Sequence, residues 1–147
     1  MNINKIKSDV NIGIAYRGVL HNNLEDPVSL ENWFATISES EVFDYVDKTP
    51  PIEEIGLYEK FSQKYNLPLL CGGWFYVLGR DEDLLFKHLE QGSKLGTKLH
   101  NVQIKLMHAN GYPATNKQII DIYLRSAEYG EKIGCLPSFE IHINMWS

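Results

Sequence analysis

Strand-like stretches recur along this chain at the spacing of a β/α unit, and that rhythm limits its possible folds more than any other feature. They begin near Asn11, Val42, Pro68, Asn101 and Pro137, at intervals of 31, 26, 33 and 36 residues. A strand, a helix and their loops occupy roughly 30 residues. Strands joined by a helix-length crossover run parallel, because an antiparallel return needs only a short turn. Five strands and four helices predict an α/β fold of parallel β/α units, with the helices on the outer face of the sheet. A closed eight-stranded α/β barrel takes about 250 residues. A chain of 147 residues cannot close such a barrel alone, and its five units give an about five-stranded parallel sheet. No internal linker is visible, so 1–147 reads as a single domain.

The helices carry apolar stripes. After Asp26-Pro27, a capping residue and a proline suited to a first turn, Leu30, Trp33, Phe34 and Ile37 follow at helical spacing. A second stripe starts at Pro51 and runs through Ile55, Tyr58, Phe61 and Tyr65. A third holds Leu84, Leu85, His88, Leu89 and Gly92. The fourth opens on the capping box Thr115-x-x-Gln118 and continues through Ile119, Ile120, Tyr123, Leu124 and Ala127. It stops near Gly134, a left-handed cap.

Alternation sorts each strand into two faces. Val102, Ile104 and Leu106 oppose Asn101, Gln103, Lys105 and Met107. Ile12, Ile14 and Tyr16 oppose Asn11, Gly13, Ala15 and Arg17. Phe139, Ile141, Ile143 and Met145 oppose Glu140, His142, Asn144 and Trp146. An open sheet covered by helices on both sides would be apolar on both faces. One polar face fits a sheet curling around an interior or cleft, or a face open to solvent. Ligands of parallel α/β folds bind at the carboxyl ends of the strands. Arg17, Asp47, Trp74, His108 and the stretch from Glu140 to Trp146 fall there.

Charge excludes some partners. The chain has 14 basic and 19 acidic residues, a net charge of −5. No basic stripe is available for phosphates, so neither nucleic acid nor an anionic membrane is expected as a partner. Cys71 and Cys135 are too few for a disulfide scaffold, and the N-terminal residues lack the apolar core of a signal peptide. The expected compartment is the cytoplasm.

The run Phe139-Glu140-Ile141-His142-Ile143-Asn144-Met145-Trp146-Ser147, with the Asn101–Ile104 strand and the Thr115–Gly134 helix before it, resembles the xylose-isomerase-like TIM barrels. That superfamily includes sugar phosphate isomerases and epimerases and the family-2 apurinic endonucleases. The resemblance implies a metal-dependent sugar or sugar phosphate isomerase/epimerase, with the later strands of the barrel missing. It implies a divalent metal (manganese, magnesium or zinc) and matches Glu140 to the ligand and acid/base carboxylate of the fifth strand. His142, two residues on, could be a second ligand or could orient Glu140. Other readings are a non-catalytic half-barrel that binds a small polyol or itself, and an abasic-site endonuclease. Half a barrel has open strand edges, which implies a homodimer paired edge to edge.

The remaining candidates each have two readings. His108 would contact substrate hydroxyls or be a loop histidine. Lys105 and Gln103 face the expected interior. There Lys105 would pair with Glu140 or another carboxylate, or form a Schiff base. Arg17 would clamp a phosphate or carboxylate, or form a surface salt bridge. Trp74 and Trp146 would wall a sugar site or fill a core. Asp44 and Asp47 would be helix-cap or loop carboxylates, and Asp47, at the strand end, is the one of the two that would contact substrate. His88 reads as a core histidine, and His21 and His100 carry no signal.

Overall fold

The computed structural model describes residues 10–15 and 29–140. Among these residues the fold is α/β, with parallel strands throughout two three-stranded sheets. The chain forms two compact units, Met1–Leu70 and Cys71–Ser147, and each holds one of these sheets.

The first unit contains β1 (Gly13–Ala15), α1 (Leu30–Glu39), β2 (Tyr45–Asp47), a 3-10 turn (Ile52–Glu54) leading into α2 (Ile55–Lys64), and β3 (Leu69–Leu70). β2 is central, with Val46 opposite both Ile14 and Leu69. The expected stripes are the buried ones: Trp33, Phe34, Ile37, Tyr58 and Phe61 are all in the core, as are Val46 and Leu69. The Phe34 ring meets Trp33 edge-on at 5.1 Å between centroids. α1 is capped by Ser29, whose hydroxyl accepts the Asn32 amide at 3.2 Å; Asp26 and Pro27 lie outside the described residues. Asp44 fastens β1 to β2. Its carboxylate accepts the Ile12 amide at 2.8 Å, and its own amide donates to the Ile12 carbonyl at 2.7 Å.

The second unit contains β4 (Gly73–Tyr76), α3 (Glu82–Lys94), β5 (Leu99–Ile104), α4 (Asn116–Ile133) and β6 (Leu136–Phe139). β5 is central; Gly73 to Tyr76 pair with Asn101 to Ile104, and Leu136 to Phe139 with Leu99 to Val102. The core gathers Tyr76, Leu78, Leu85, Leu89, Val102, Ile104, Ile122 and Cys135. The capping box at Thr115 and Gln118 is formed, and Gly134 adopts φ 79°, the left-handed cap expected of it.

Three details differ from the sequence reading. In the stripe expected on the fourth helix, Ile120 and Leu124 are exposed, and Ile122 and Ser126 are the buried positions. The single third strand expected from Pro68 is two short strands, β3 and β4, with Cys71-Gly72 between them. Leu106, assigned by alternation to the covered face, is exposed because β5 ends at Ile104 and alternation ends with it.

Candidate functional site

β5 carries polar groups on both faces. His100, Val102 and Ile104 are buried, while Asn101 and Gln103 alternate with them and face the other way. Register places Phe75 beside Gln103 and Ser138 beside Asn101. Gly73 lies beside Asn101 and must be small: a Cβ there would sit 2.6 Å from the Asn101 Cβ. At the end of β6 the Phe139 ring stacks on Tyr123 of α4 at 3.6 Å, on the helix side. Glu140 follows and belongs to the opposite face. Its amide still donates to the Val102 carbonyl at 3.0 Å, which extends the strand pairing by one residue.

On that face Glu140 Oε2 accepts two hydrogen bonds, from Asn101 Nδ2 at 2.6 Å and from Gln103 Nε2 at 2.8 Å. Two donors from one neighbouring strand fix the carboxylate in place. They also turn both amide oxygens away from it. Asn101 Oδ1 and Gln103 Oε1 are shielded from solvent and, among the described residues, accept no hydrogen bond. An acceptor left unmet at such depth costs about 1–3 kcal/mol. Farther along β5, Lys105 Nζ stands 4.2 Å above the centre of the Phe75 ring, a cation–π contact. The face thus presents a held carboxylate, a cation and an aromatic surface, with two unmet acceptors shielded just beneath them.

The other predicted residues are placed as follows. Lys105 is exposed and sits on Phe75, where the sequence reading had a buried lysine. Asp47 closes β2 in the first unit and is partly buried. His108 lies in the loop after β5, where its Nδ1 accepts the Asn110 amide at 3.2 Å. Its ring packs on Gly79, where a Cβ would come within 2.2 Å of the imidazole. Trp74 points to the helix side of β4, with its ring 5.9 Å from His88. Arg17, His142 and Trp146 lie outside the described residues. Among the described residues no three His, Cys, Asp or Glu side chains gather as metal ligands. Phe75 escaped the sequence reading, although alternation from Gly73 assigns it to this face.

The opposite face of the same strands holds a closed network. Tyr76, His88 and His100 are all buried. The Tyr76 hydroxyl lies 2.8 Å from His88 Nδ1 and 2.6 Å from His100 Nε2, and His100 Nδ1 lies 2.8 Å from the Cys71 carbonyl. A carbonyl only accepts, so His100 carries its proton on Nδ1 and its Nε2 is a lone pair. Tyr76 therefore donates to His100 and accepts from His88 Nδ1–H. Burial, with the nearby His100 adding to it, pushes His88 down to about 4, although Asp81 pulls the other way. His100 is also lowered by burial, partly offset by its bond to the Cys71 carbonyl. Burial raises the Tyr76 phenol. The sequence does not mark Tyr76 or His100, because the pairing between them depends on register, which alternation does not supply.

No protein-family model matches the chain, and no curated protein matches it. Solved structures do. The chain is similar to 3-dehydroquinate dehydratase from Geobacillus kaustophilus HTA426, at 14% identity and TM-score 0.58, covering 96% of this chain and 54% of that one. It is also similar to type I 3-dehydroquinate dehydratase from Clostridium difficile, crystallised with covalently modified comenic acid. That match has 17% identity and TM-score 0.52 and covers 94% of this chain and 67% of the other. The chain spans about half the length of the first. At such identities the likeness is one of fold, and the fold is that of TIM-barrel β/α units. These neighbours are not xylose-isomerase-like, so the superfamily resemblance read from the last strand is corrected. The metal-dependent sugar isomerase/epimerase reading is withdrawn with it. The physical reason is that a strand alternating apolar and polar residues, after a capped helix, is a property of parallel barrel strands in general and not a mark of one superfamily.

Proposed function

We propose that the open face of β4, β5 and β6 binds a small hydroxylated carboxylic acid. The observation that carries this is the pair of shielded, unmet oxygens on Asn101 and Gln103, beside the carboxylate their amides hold. Acceptors of this kind are completed by hydroxyl donors, which polyols supply. Lys105 offers a cation for an anionic end of the ligand, and Phe75 an apolar surface for its carbon skeleton. In this reading Glu140 takes a proton from a bound hydroxyl or carbon acid. The fold neighbours are named for 3-dehydroquinate, which makes that compound the first to try.

The cytoplasm is the compartment we assign. Cys71 and Cys135 are buried and not joined in a disulfide, which suits a reducing environment. No helix among the described residues is long and apolar enough to cross a membrane.

Calorimetric titration with 3-dehydroquinate, and with a panel of cyclic and linear hydroxy acids, tests the reading. Binding is expected for at least one of them. Gln103→Leu, which removes one acceptor together with one of the two donors that hold Glu140, should weaken it at least about tenfold. Lys105→Met should weaken acids and spare neutral polyols. A panel without binders, or affinities indifferent to Gln103→Leu, would sink the proposal.

A further inference from the structure

We infer that α4 is a self-association surface on which a second copy of this chain packs antiparallel. Along the exposed side of α4 lie Lys117, Ile120, Leu124, Ala127 and Glu131. Their spacing of 3, 4, 3 and 4 residues is that of one helix seam. Ile120 is 56% exposed and Leu124 68% exposed, although each is an apolar side chain in mid-helix. Lone exposed apolar residues are common; two adjacent on one seam, one turn apart, form a patch.

The charges identify the occupant. Within α4, Arg125 pairs with Asp121 at 3.2 Å and Lys132 with Glu128 at 2.7 Å. Lys117 and Glu131, at opposite ends of the seam, have no partner among the described residues. They stand seven residues either side of Leu124, about 10 Å along the axis in each direction. A second α4 laid antiparallel across Leu124 brings Lys117 of each copy opposite Glu131 of the other. The same operation sets the large Ile120 against the small Ala127. A patch complementary to itself under a two-fold rotation is what an isologous dimer requires. A parallel approach would instead put Lys117 on Lys117 and Glu131 on Glu131. The contact is short, so the dimer is weak and concentration-dependent.

This surface is distinct from the open strand edges, and the experiment separates the two. Sedimentation velocity from low micromolar to near-millimolar concentration should reveal a reversible dimer. Leu124→Glu should abolish it at every concentration, with circular dichroism and melting unchanged, because Leu124 is exposed. Lys117→Glu should weaken association about tenfold, and the double exchange Lys117→Glu with Glu131→Lys should restore it. A protein that stays monomeric throughout overturns the inference. So does a dimer that survives Leu124→Glu, which would point to a strand edge instead, or one that the double exchange fails to rescue.

Discussion

The two faces of β5 use the same kinds of atoms to opposite ends. On the helix side, His100 enters a network in which each hydrogen bond has a donor and an acceptor assigned, running to a backbone carbonyl. On the other side, Asn101 and Gln103 spend their donors on Glu140 and leave their acceptors unmet. A closed network holds the strands and helix together and offers little to a visitor. An open one costs stability until something arrives to complete it. On this strand the buried polar groups of the two faces differ in whether their hydrogen bonding is complete, more than in residue type.

That contrast can be broken by substitution. Tyr76→Phe keeps the ring and deletes the bridge, which strands the His88 donor and the His100 acceptor in the core. Unfolding in urea should report a loss of about 3 kcal/mol. A loss under about 1 kcal/mol would mean that the network contributes little.

Acid should break the same face without mutation. In the fold His88 is lowered to about 4, below its ordinary value near 6.5, so the native state favours its neutral form. The stabilisation is complete above the unfolded value and drains away as pH falls from about 6.5 towards 4, where the unfolded chain binds the extra proton. His100, shifted in the same direction, adds to the slope. The expected loss is about 3 kcal/mol for His88, read from urea midpoints at a series of pH values. A flat profile over this range would refute neutral burial of the pair.

The open face should respond least. Glu140→Gln keeps an acceptor for both amides at the end of a strand, so stability should change by less than about 0.5 kcal/mol while ligand affinity falls. If Glu140→Gln unfolds the protein as Tyr76→Phe does, the functional assignment of the two faces is reversed.

Much of this architecture was legible in the residues. The capping box at Thr115, the left-handed Gly134 and the core stripe of Trp33, Phe34 and Ile37 are local signals, and local signals survive folding. Alternation also placed Asn101, Gln103 and Glu140 on one face, because strand parity follows from backbone geometry alone. What escaped was relational. That His100 meets Tyr76, or that Phe75 lies under Lys105, depends on which residues of two strands stand abreast. The break at Cys71-Gly72 escaped for a similar reason: apolar sequence runs through it, and only the pairing changes. The superfamily resemblance fails because its pattern is common to a whole architecture and marks no single branch of it.

The bond from His100 to the Cys71 carbonyl has one more effect. Because an oxygen of the main chain cannot give up a proton, it selects one tautomer of His100, which orients the Tyr76 hydroxyl, which in turn selects the tautomer of His88. The polarity of three side chains is thereby written by a single peptide group, and a turn of that peptide would be felt at an imidazole two side chains away.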